Sequence, residues 1–154
     1  MRTTDELLQQ LAFEVWADRA QIASIGSVEA PSDQLLAIAW HLLAAAENWL
    51  ARVQGTAPSV SLEWQTPARD ALPPLLEQVC DDFVAVAREM DDARLNAPVR
   101  YTNSQGVAYE NLAGDVLEHL MLHGAEHRGQ IALEVGRQGG QPAETEYIFW
   151  LRGD

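Results

Sequence analysis

Lysine is absent from this chain: all 10 basic residues are arginine, set against 23 aspartates and glutamates for a formal net charge of -13. No stretch is basic enough to neutralise a row of phosphates, which argues against nucleic acid as a partner. An anionic membrane surface would repel the chain for the same reason. Long apolar runs are also missing, and none approaches the roughly 18 to 20 residues that span a bilayer. Cysteine is confined to Cys80, so no internal disulfide can form. Cys80 falls on a helical pattern without an adjacent basic residue to lower its pKa, and reads as core filler, not as a nucleophile. The opening residues MRTTDELLQQ lack the basic-then-apolar order of a secretory signal, so a soluble protein of the cytoplasm is expected.

The sequence otherwise has an ordinary globular balance, with 47% hydrophobic and 21% charged residues over 154 positions. That length suits one domain spanning 1–154, and no repeat, low-complexity tract or linker divides it. Helical periodicity dominates. Thr3 and Glu6 have capping-box spacing, and apolar residues follow at helical intervals to about Ile25. Gly26 and Pro31 break that pattern, and Ser32 is a good N-cap for a second helix over Leu35 to Leu50. The connection from Gln54 to Asp70 is longer than neighbouring antiparallel helices need, so it is expected to cross the molecule. Asp70 is the expected cap of a third helix, with Pro73 and Pro74 in its first turn, running to about Met90. Residues 91–110 contain the β-prone pieces PVRYT and VAY and read as an irregular loop or a small hairpin. A last helix follows from about Leu112 through Val135, and the tail TEYIFWLR can add one more turn. The class is all-α.

Three of the four histidines, His119, His123 and His127, stand four apart in the last helix. Each such step drifts by only about 40° and advances about 6 Å, so neighbouring imidazoles share a face and a pair can chelate one ion. Gln130 and Glu134 lie within about 20° of His123 on the same wheel, so a polar row is aimed where a core row would be expected. Burying such a row is costly unless its members are paired or bind a metal. His41 sits between Trp40 and Leu42 in the apolar half of the second helix and should also point inward. Two histidines from one helix and one from another make three nitrogen ligands with positions left open, as in catalytic zinc sites. For each histidine taken singly, the alternative is a hydrogen-bonded core residue.

The segment HGAEHRGQIALEVGRQGGQPAETEYIFWLR resembles the DinB-like family of metal-dependent enzymes, which carries a similar H-x-x-x-H-R-G-Q-I run followed by Gly, Pro and a Tyr-Ile pair. HLLAAAENWLARVQG is similar to the family's second-helix signature, FEVWADRA to its first, and RYTNSQGVAY to the loop before its last helix. The resemblance implies a four-helix bundle of DinB/YfiT-like type with an unusual connection order. It also implies a metal held by His41, His123 and His127, leaving His119 outside the triad as a second-layer or water-binding residue. Zinc or nickel is the metal expected first, iron or manganese next, and a low-molecular-weight thiol is the implied co-substrate. The implied chemistry on a small molecule is thiol-dependent S-transfer or hydrolysis. A non-catalytic, metal-stabilised bundle serving as a dimeric binding or stress-related module is the alternative, and a homodimer is expected in either case. Asp18 and Glu146 depart from the family's more common asparagine and aspartate.

No catalytic residue is assigned, because Glu47 is turned about 120° from His41 on its helix. Arg128 belongs to the family motif but turns about 100° from His127, which predicts a salt bridge or helix contact. Gly124 and Gly129 are expected to allow close helix packing, Trp49 and Tyr109 to line a pocket, and Phe149 and Trp150 to serve the core or a dimer contact.

Overall fold

The computed structural model describes residues 3–153; Met1, Arg2 and Asp154, the ends of the expected 1–154 domain, lie outside the described residues. The chain is mostly helical, with one small two-stranded sheet. Helix α1 (Thr4–Ser24) begins at the expected capping box: the Thr3 hydroxyl accepts from the Glu6 backbone N–H, and the Glu6 carboxylate accepts from that of Thr3. Helix α2 (Asp33–Gln54) starts at Ser32, whose hydroxyl accepts from the Leu35 N–H. It stops at Gly55, whose φ of 71° is a left-handed conformation that a side chain would strain.

Helix α3 (Leu72–Glu89) carries prolines in its first turn as expected, but Asp70 does not cap it. Ala71 occupies the N-cap position with no side-chain bond, at the end of a 3-10 turn over Arg69–Ala71. Pro73 and Pro74 have no N–H to offer, which removes donors that a capping carboxylate would otherwise satisfy. A single turn, α4 (Asp92–Leu95), is capped by Asp91.

The small-hairpin reading of residues 91–110 holds: β1 (Pro98–Thr102) pairs antiparallel with β2 (Ala108–Leu112), with Tyr101 opposite Tyr109. Helix α5 (Ala113–Arg137) follows directly, and α6 (Tyr147–Arg152) is the short C-terminal turn.

The dominant packing joins α2 to α5 and α3, and α1 to the same two helices. Consecutive helices α1 and α2 are therefore not each other's principal partners. One apolar cluster fills the centre, including Leu11, Leu35, Leu43, Leu50, Phe83, Leu117 and Ile131. Cys80 is buried within it, and burial pushes its thiol up to about 11, in keeping with an inert core residue.

The face of α1 toward α5 is not purely apolar. Arg128 is buried there, donating two bonds to Glu14 at 2.6 and 2.9 Å and one to Asp18 at 2.8 Å. Gly124 makes room for this ion cluster, since a Cβ there would lie 2.7 Å from the Glu14 carboxylate and 2.9 Å from Arg128. Gly129 has no such role; a Cβ there would meet nothing within 4 Å. Removing Arg128 from this buried cluster would cost about 3 to 5 kcal/mol, because both carboxylates would be left uncompensated.

The long connection after α2 is tied down along its first half. Buried Glu47 accepts from the Ser59 N–H at 2.7 Å, Asn48 donates to the Val60 carbonyl at 2.9 Å, and Gln78 donates to the Ser59 hydroxyl at 2.7 Å. These bonds replace the regular ladder that the segment lacks.

Candidate metal centre

The α2–α5 seam brings His41 against the last helix at the level of His123 and His127. One ligand atom from each of the three lies within 4.8 Å of the other two. His127 is buried, whereas His41 and His123 are half-buried. The His123 and His127 Nε2 atoms face each other at 3.1 Å. Two nitrogens each about 2.0 to 2.1 Å from one ion, at tetrahedral or octahedral angles, stand roughly 2.9 to 3.4 Å apart. The observed separation lies inside that interval.

The hydrogen bonding of the two rings differs. His127 Nδ1 lies 2.7 Å from the Gln130 Oε1, so with that amide oxygen accepting, Nδ1 carries the proton and Nε2 of the neutral ring keeps its lone pair. His123 is poorly satisfied: its Nδ1 is buried with no partner among the described residues, and its Nε2 has only the other imidazole. Burial, then the nearby charges of His127, His41 and His119, push His123 down to about 4. Burial and the His127 charge lower His41 as well. Protonation of these two rings is thus suppressed near neutrality, which favours the lone-pair form that binds a cation. A cation between the facing nitrogens would use two lone pairs that otherwise share at most one proton.

The surroundings are aromatic. Trp64, carried by the long connection, stacks on His41 with ring centroids 4.4 Å apart and planes 9° apart. On the other side, His119 is exposed and lies 5.8 Å from His123 between ring centroids, with its edge against Trp49. The fourth histidine therefore adjoins the cluster without entering it.

The model of the DinB superfamily matches residues 2–131 of the chain. The chain belongs to the DinB superfamily. No curated protein and no solved structure gives a significant match. The matched span contains all three clustered histidines of this DinB protein, together with Arg128 and Gln130, and ends before the Tyr147–Ile148 pair.

Several residues singled out in the sequence have other work here. Arg128 is held in the α1–α5 ion cluster, away from the histidines, as its helical angle predicts. Glu47 is spent on the connection after α2. Trp49 does line a cavity of about 300 Å³ with Tyr101, Asn111 and His119, whereas Tyr109 stacks on the back of Tyr101 and is exposed. Trp150 packs edge-on against Phe13, and Phe149 is exposed. Sequence reasoning missed Trp64. It lies in a segment without periodicity, and only the tertiary path of the connection brings it to His41.

Proposed function

We propose that this DinB protein is a metal-dependent enzyme that holds one divalent transition metal, zinc or nickel before iron or manganese, on His41, His123 and His127. We assign it a four-helix bundle of the DinB type. Its reaction, in this reading, transfers a low-molecular-weight thiol to a small organic electrophile. The observation that carries the reading is the convergence of three imidazoles, two of them with suppressed basicity, in a group that among the described residues numbers three. Three nitrogens with an open remainder are the pattern of catalytic centres; structural zinc sites are closed by four.

A divalent cation held there supplies Lewis acidity, lowering the pKa of a thiol or water so that a nucleophile exists at neutral pH. The chain's own residues do the rest. Gln130 fixes which nitrogen of His127 faces the centre, and Trp64 walls off one face of His41. His119, exposed and one helical turn from His123, is available to take up the thiol proton as the sulfur–carbon bond forms and the leaving group departs. Transfer is favoured over hydrolysis because a thiol, with an ordinary pKa of about 8.5 against about 15.7 for water, ionises more readily beside a cation, and Glu47 is engaged by Ser59 and Asn48. We also assign the enzyme to the cytoplasm as a homodimer acting on a small molecule, with neither nucleic acid nor membrane as partner; among the described residues no helix is long and apolar enough to cross a membrane.

Elemental mass spectrometry on tag-free protein tests the centre. About one transition-metal ion per chain is expected, and it should be lost in both His123→Ala and His127→Ala. Wild-type protein that stays metal-free after incubation with zinc, nickel and manganese would remove the basis for a metalloenzyme.

A further inference from the structure

Beside the histidines, residues of α2, α5 and the long connection line a cavity of about 460 Å³. Ile38, Leu133 and Trp64 give its lining a largely apolar character, and Gln130 also borders it. Two of these residues are also the direct neighbours of the clustered rings: Trp64 stacks on His41, and Gln130 is bonded to His127. A molecule filling the cavity therefore lies against the immediate neighbours of two of the three histidines.

Large apolar groups line this cavity and remain open to solvent, with Trp64 60% exposed and Leu133 54% exposed. Trp64 is nevertheless not a loose side chain. The connection that carries it is anchored four and five residues earlier by Glu47, Asn48 and Gln78. One face of the indole is used by His41, and a flat partner can stack on the other. At the outer rim, the Arg137 guanidinium is already paired with Glu134 at 3.1 Å, so the rim offers no free cation to an anion. The chain's net charge of -13 disfavours an anion further.

We propose that this Trp64-roofed groove is the subsite for the organic substrate and that it takes a flat, uncharged, largely apolar group such as an aromatic ring. This rests on the reading of the histidine cluster as the reactive centre, but the groove can be tested independently of it. Benzyl alcohol, benzoate and cyclohexylmethanol would each be titrated into isotope-labelled protein, metal-free and zinc-loaded, with the Trp64 indole N–H signal assigned by Trp64→Phe. Benzyl alcohol should shift the Trp64 and Leu133 signals in both forms. It should bind about tenfold more weakly to Trp64→Ala, with affinity largely kept in Trp64→Phe. Leu133→Arg, a change at an exposed helix position, should abolish the Trp64 shift while leaving zinc uptake unaltered. Benzoate and cyclohexylmethanol should both bind more weakly than benzyl alcohol.

The proposal is overturned if Trp64 does not respond, if Leu133→Arg leaves the affinity unchanged, or if either comparison compound binds as well as benzyl alcohol. Zinc uptake without any response in the groove would reject the subsite alone. A response in the groove without zinc uptake would support the subsite and reject the centre.

Discussion

Gln130 acts on the proposed centre through a single hydrogen bond to His127. Such outer partners fix a ligand's tautomer and ring orientation, and losing one typically weakens metal affinity by about 10- to 100-fold. Gln130→Leu should therefore lower zinc affinity within that range, measured by competition with a chelating dye. Gln130→Glu, which keeps an acceptor at the same reach, should restore most of it. Equal affinity in wild type and Gln130→Leu would show that the bond does not orient the ligand. The residue is exposed by its overall surface, so fold stability should change little in either variant. Gln130 stood out in the sequence as part of a polar row on α5, but its partner within that row did not, because rotamers select among neighbours that share one helix face.

The connection between α2 and α3 has long-range consequences out of proportion to its irregularity. Asn48 makes one bond back to the Ala44 carbonyl and one across to Val60, and it sits beside Glu47, which receives Ser59. Asn48→Ala removes a buried donor and leaves the Val60 carbonyl without that partner, at a cost of about 1 to 3 kcal/mol. Amide exchange should then accelerate across residues 55–68, with the interior of α2 remaining protected. The stacking of Trp64 on His41 should loosen with it, visible as a change in the indole signal. Unchanged exchange in that segment would mean that other contacts hold the connection. The sequence made it legible as long and irregular, through Gly55, Pro58 and Pro67. Its anchors were not legible, since a buried Glu-Asn pair has no local signature.

Across the molecule, two groups shifted by burial work against each other as pH changes. Glu14 and Asp18 share one guanidinium, so the cluster carries one carboxylate more than it can neutralise. Burial is the largest cause raising both acids, taking Glu14 to about 7; Arg128 opposes that rise, and the Asp18 charge adds to it. The folded chain then holds more protons than the unfolded chain between the ordinary glutamate value of 4.5 and about 7, and this contribution to stability is lost as pH rises through that window. His123 has the opposite sign. Depressed from 6.5 to about 4, it contributes stability that is present above 6.5 and lost as pH falls toward 4. Asp18→Asn relieves the surplus charge and should raise the melting temperature relative to wild type at pH 8 more than at pH 5. A difference independent of pH would show that the surplus carboxylate is compensated in some other way.

The sequence by itself determined the four long helices, the caps of the first two at Thr3 and Ser32, the shared face of His123 and His127 on the last helix and, through its motifs, the family. Each of these is written in short-range order: a period of 3.6, a capping spacing, a step of four on one helix, or a contiguous motif. Tertiary structure alone decided which helices are partners, that Arg128 is consumed by Glu14 and Asp18, that Gly124 and not Gly129 is packed against a neighbour, and that Trp64 covers His41. Those outcomes depend on contacts between residues far apart in the chain, such as Arg128 with Glu14 and Asn48 with the connection. Helical angle limits where such a side chain can point, but only the packing of the other helices supplies what it meets.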